Sequence, residues 1–100
     1  MPSVADLVEP DAFRERAGEY LTRAGETLRA AGRVRIVEFG PVRVTGDVTD
    51  GARRTVTLAS GPTGLATGCD CGTMNEHGLC PHVVAVAFET WERAPKRQGG

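Results

Sequence analysis

The sequence predicts one α+β domain: a front helix, a small antiparallel β-meander of three to four strands, and a C-terminal helix anchored at its start by a cluster of side chains. Three observations carry this expectation. Residues 10–32 repeat apolar side chains at a period near 3.6, residues 33–68 alternate between apolar and polar, and residues 69–93 gather three cysteines and a histidine ahead of a last apolar run. A length of 100 residues suits a single domain. A chain this size buries under roughly 70% of its unfolded surface, so its core is modest and a metal staple helps.

Taken in order, Ser3 and Asp6 have the spacing of a capping box, which predicts one short turn over Val4 to Val8 that Pro10 ends. Asp11 is then the expected N-cap of the front helix, with Phe13, Ala17, Tyr20, Leu21, Ala24, Leu28 and Ala31 on its apolar side and Gly32 as its stop. Within it, Arg16-Ala17-Gly18-Glu19-Tyr20-Leu21 is echoed seven residues on by Arg23-Ala24-Gly25-Glu26-Thr27-Leu28. Seven residues are nearly two turns, so Gly18 and Gly25 are expected on one face. Two readings stand: a smooth strip that another backbone approaches closely, or a solvated face on which Glu19 and Arg23 pair at i,i+4.

The middle reads as a meander. Val34 to Phe39 is strand-like, Gly40-Pro41 turns the chain, and Val42, Val44, Gly46 and Val48 alternate with Arg43, Thr45 and Asp47. Asp50-Gly51 is a hairpin signal, Thr55 to Leu58 a third strand, and Leu65 to Thr67 a short fourth after Gly61-Pro62. Pro81 opens the last helix, since a proline at the first helical position loses no bond. Its expected buried stripe is Val84, Ala87, Phe88 and Trp91. Residues 94–100 are expected to be a flexible tail.

Cys69-Asp70-Cys71 and Cys80-Pro81-His82 supply three thiols and one imidazole within fourteen residues. That donor set suits one tetrahedral structural zinc. Residues two apart on a strand point the same way, so Cys69 and Cys71 can grip one ion together. Cys80 at the N-cap has non-helical torsions, which lets His82 in the first turn swing to the same side. His77, in the intervening loop, is the alternative fourth ligand. Four protein ligands leave no position for a reactive water, so no catalysis is expected at the metal. The competing chemistry is a thiol-redox pair of Cys69 and Cys71.

The pattern C-x-C, loop, C-x-H and apolar helix, here Cys69-Asp70-Cys71 and Cys80-Pro81-His82-Val83-Val84-Ala85-Val86, resembles a SWIM-type zinc finger. The resemblance spans roughly Val56 to Trp91, and Ala30-Ala31-Gly32-Arg33-Val34 ahead of β hairpins is similar to small bacterial proteins carrying this finger. It implies Cys69, Cys71, Cys80 and His82 as ligands. It also implies a non-catalytic module binding DNA or protein, as in helicase-, transposase-, recombination- and ubiquitin-ligase-associated proteins. The 100 residues hold no helicase or transposase, so an accessory role to such a machine is expected.

Composition narrows the partner. Forty percent apolar and 25% charged residues are ordinary for a globular chain. The formal net charge of −1 excludes a strongly basic arm, but it is the sum of −3 over residues 1–27, +3 over 28–58, −4 over 59–92 and +3 over 93–100. Phosphate would be repelled near the acidic finger, so any DNA contact is expected on Arg33, Arg35, Arg43, Arg53 and Arg54, with Arg93, Lys96 and Arg97 adding weak attraction. No run of apolar residues is long enough for a membrane span, and no phosphate-binding loop or nucleophile elbow is present. No small-molecule substrate is therefore expected. Met1-Pro2-Ser3-Val4-Ala5-Asp6 lacks the regions of a secretory signal, which predicts a cytoplasmic protein with reduced thiols.

Overall fold

A computed structural model describes residues 3–62, 64–72 and 78–94. The elements are α1 (Val4–Leu7), α2 (Pro10–Ala30), β1 (Val34–Phe39), β2 (Arg43–Asp50), β3 (Ala52–Gly61), β4 (Gly64–Cys69) and α3 (Pro81–Arg93). The four strands form one antiparallel sheet in the order β1-β2-β3-β4. The fold is α+β, with the predicted front helix, meander and closing helix in place; His77 and the tail residues Lys96 and Arg97 lie outside the described residues.

Stacking runs sheet, then α3, then α2. Helix α3 touches all four strands, while α2 packs on its other side. Glycines make both approaches close. A Cβ on Gly46 of β2 would stand 3.1 Å from Val86 Cγ2, and one on Gly25 of α2 would stand 2.5 Å from Val84 Cγ1 and 3.0 Å from the Ala85 backbone nitrogen. Val84 and Val86 lie on opposite sides of the helix, at 100° per residue. Consequently α3 is buried all round: Val83, Val84, Ala85, Val86, Ala87, Phe88 and Thr90 are all buried, a wider surface than the single stripe expected from its period.

Helix α2 departs from expectation at three points. Its N-cap is Glu9, not Asp11, because Pro10 occupies the first helical position; the Glu9 carboxylate accepts from the Ala12 N–H at 3.0 Å. Gly18 breaks the helix with φ 86° and ψ 166°. The two halves fold back so that Arg14 meets Glu26 at 2.9 Å, although twelve residues of straight helix span about 18 Å. Gly18 and Gly25 therefore do not share one face, and the break resets the helical phase, leaving Tyr20 80% exposed. Both earlier readings of the repeat hold in part. Gly25 is the close-approach site, against the chain's own α3, and Glu19 pairs with Arg23 at 2.8 Å on the solvated side.

The remaining signals act as read. Ser3 and Asp6 form a capping box. At the end of α2, Gly32 adopts φ 72°, with Gly32 N–H bonded to Arg29 O at 3.0 Å and Arg33 N–H to Leu28 O at 3.1 Å, a Schellman ending. Strand β2 begins at Arg43, leaving Val42 in the turn and 62% exposed, and strands β3 and β4 run longer than their apolar cores. Phe13 meets Phe88 edge-on at 6.0 Å, tying the first half of α2 to the end of α3.

Candidate metal centre

Pairing register decides where each cysteine points. Val56 of β3 is fully buried beneath α3, and Cys69 is its partner on β4, so Cys69 points to the helix side of the sheet. Cys71 follows in the turn, where Gly72 takes φ 73°. Opposite them, Cys80 is the N-cap of α3 with φ −150° and ψ 168°, and its Sγ accepts the Val83 N–H at 3.4 Å. Pro81 takes the first helical position, and His82 follows inside the first turn, 6% exposed.

These elements bring four donor atoms together. One atom from each of Cys69, Cys71, Cys80 and His82 lies within 4.8 Å of all the others. The His82 Nδ1 stands 3.8 Å from Cys69 Sγ and 3.7 Å from Cys80 Sγ. A tetrahedral ion with arms of about 2.1–2.3 Å has edges near 3.6 Å, so the donors fit one metal ion with little movement. No disulfide joins Cys69, Cys71 and Cys80.

Burial and mutual proximity hold these thiols in the protonated form when no cation is present. Burial pushes the Cys69 thiol up to about 12, the nearby Cys80 charge adds to the rise, and a backbone N–H at Cys71 opposes it. Burial likewise raises Cys80, against the pull of the Val83 N–H. Three thiolates in one half-buried pocket repel one another unless a divalent ion offsets them, which is the condition under which such groups lose their protons near neutral pH.

One participant is absent from the sequence reading. Asp50, the last residue of β2, places Oδ2 3.0 Å from His82 Nε2, on the side of the ring away from the thiols. In the sequence Asp50 is visible only as half of the Asp50-Gly51 hairpin signal, and it does fill that turn, with Gly51 at φ 78°. The signal for its second role is long-range, 32 residues from His82, and no local pattern carries it.

The five arginines considered for DNA divide between the two faces of the sheet. Arg35 pairs with Asp47, Arg43 with Ala59 and Arg53 with Thr49, all on the face away from α3, where Arg33 falls by alternation. Arg54 pairs with the buried Val48 and so lies on the helix side, toward the cysteines. On the open face Arg43 reaches Glu38 at 3.8 Å and Arg53 reaches Asp47 at 3.9 Å.

The fold and site together define a small α+β domain with a Cys3His cluster fit for a single metal ion. No protein-family model, curated protein or solved structure matches the chain. Among the described residues, no helix is long and apolar enough to cross a membrane.

Proposed function

We propose that this protein is a non-catalytic module of the SWIM zinc-finger type, holding one structural Zn2+ through Cys69, Cys71, Cys80 and His82. Its role in this reading is protein interaction, accessory to a helicase, recombination or transposition machine. The observation that carries it is the convergence of the four donor atoms within 4.8 Å at the junction of β4 and α3. Zinc suits the donors because soft thiolates with one imidazole in a closed tetrahedron are its common structural set. Supporting the binding role, Val37, Phe39 and Val42 expose apolar surface at the β1–β2 end, at 59%, 42% and 62%.

DNA binding is the second reading, and it is favoured by the arginines on the open face. Arg33 and Arg35 have no ion-pair partner among the described residues, whereas Arg43 and Arg53 sit beside carboxylates. The redox alternative for Cys69 and Cys71 uses only two of the four clustered donors and leaves the approach of His82 Nδ1 to Cys69 and Cys80 without a role. Elemental analysis of freshly purified protein tests the main reading: one tightly held zinc per chain is expected, and a metal-free protein with a reversible Cys69–Cys71 disulfide overturns it. For DNA, anisotropy titrations of Arg33→Glu/Arg35→Glu against wild type at rising salt decide. A steep salt dependence in wild type that flattens in the variant establishes the second reading, and no affinity at low salt removes it.

A further inference from the structure

We propose that Asp50 is the outer carboxylate that sets which nitrogen of His82 faces the metal and thereby tunes how tightly the cluster holds it. This rests on the zinc-centre reading above. His82 offers its two ring nitrogens to different neighbours: Nε2 lies 3.0 Å from Asp50 Oδ2, while Nδ1 lies 3.7 Å from Cys80 Sγ and 3.8 Å from Cys69 Sγ. A neutral imidazole carries one proton. With that proton on Nε2, donated to Asp50, the lone pair of Nδ1 is free and aimed among the thiols. A carboxylate accepting the second-nitrogen proton fixes the ring's orientation and raises the basicity of the donor nitrogen.

The position of Asp50 is itself held by the fold. It ends β2 and faces Ala52 across Gly51, so the tight hairpin brings its side chain over the first turn of α3. The metal centre thus has three walls: β4 and its turn, the start of α3, and the β2–β3 hairpin tip. Only the first two contain residues of ordinary metal-finger spacing.

The test uses the full chain with Asp50→Asn and Asp50→Ala. Asparagine keeps the turn, since Asn-Gly is as good a hairpin pair as Asp-Gly, and retains an acceptor without the charge. Co2+ titration read by the visible spectrum, followed by Zn2+ competition, is expected to show one tetrahedral ion in all three proteins. Affinity should fall roughly 10- to 100-fold in Asp50→Ala and about tenfold in Asp50→Asn. Long-range 1H–15N correlation on the zinc form should show the His82 proton on Nε2 in wild type, protected from exchange, and rapidly exchanging in Asp50→Ala. Wild-type and Asp50→Ala affinities within about twofold, or metal found on Nε2, overturn the proposal alone. A wild type that takes up no metal overturns the zinc reading and this one with it.

Discussion

The two faces of the sheet are built from the same strands and differ in almost everything else. On the covered face Val44, Val48, Val56 and Leu58 are wholly buried under α3, and the row ends at Cys69 and the Cys3His cluster. On the open face their sequence neighbours Thr45, Asp47, Thr55 and Thr57 stand among Arg35, Arg43 and Arg53, with Thr45 and Thr55 hydrogen-bonded to Glu38 and Asp47 at 3.4 Å. The buried core and the candidate metal cluster therefore belong to one face, and most of the exposed arginines of the sheet to the other. Because strand side chains alternate, residues on the two faces can change independently.

Metal removal should break this asymmetry most severely. Structural zinc contributes apparent binding energies of about 10–16 kcal/mol in finger peptides, comparable with the whole stability of a small domain. Cys80→Ser isolates that contribution, since serine is a favoured N-cap and preserves the bond to the Val83 N–H while removing a thiolate. Thermal melts with and without one equivalent of Zn2+ should show a large zinc-dependent rise in wild type and little in Cys80→Ser; equal responses would refute the ligand assignment. Next in size, Leu58→Ala on the covered face should cost about 2–5 kcal/mol, whereas Thr57→Ala beside it should stay within roughly 0.5 kcal/mol. Urea midpoints measure both, and similar losses would show that the open face is also packed.

How far the sequence reaches follows the same division. Much that depends on neighbours in the chain is readable: the Schellman ending at Gly32, the capping box at Ser3, the Cys80 N-cap before Pro81, the turn at Asp50-Gly51 and the C-x-C and C-x-H pairs; the α2 N-cap is as local, yet Glu9 and Asp11 compete for it and Pro10 decides. Tertiary contacts are not readable. The break at Gly18 and the burial of Gly25 come from one repeated motif, and nothing local says which glycine is used for conformation and which for space. Full burial of α3 likewise needs its two packing partners, and Asp50 meets His82 only after the sheet has formed.

That repeat yields the next prediction, which sharpens the account of how the covered face stays covered. Gly25→Ala gains helix propensity but drives a methyl to 2.5 Å from Val84 Cγ1, where overpacking costs about 1–3 kcal/mol. Gly18→Ala meets nothing within 4 Å, yet it forces a side chain onto φ 86°, ψ 166°, a region essentially restricted to glycine that also costs about 1–3 kcal/mol. Similar losses arise from different causes, and a Val84→Ala background separates them. Coupling of about 0.5–3 kcal/mol is expected for Gly25→Ala, because shortening Val84 makes room, and none for Gly18→Ala. Coupling at both positions would mean that the kink also bears on α3.

The last effect concerns pH, at the cysteine end of the covered face. In the metal-free protein the half-buried Cys69 thiol is raised from 9.0 to about 12. Below pH 9 folded and unfolded chains both hold this proton, and the contribution to stability is fully present. Between pH 9 and about 12 the unfolded chain releases the proton first, so stability falls as pH rises and the contribution is lost above the folded value. Chemical denaturation of chelated protein should show this alkaline decline, and Cys69→Ala should flatten it. The zinc form should respond in the opposite direction on the acid side, losing its metal as pH falls, because protons compete with the ion for the thiolates. Opposite slopes with and without metal would tie the titration to the cluster. An alkaline decline unchanged by Cys69→Ala would instead place its origin elsewhere in the fold.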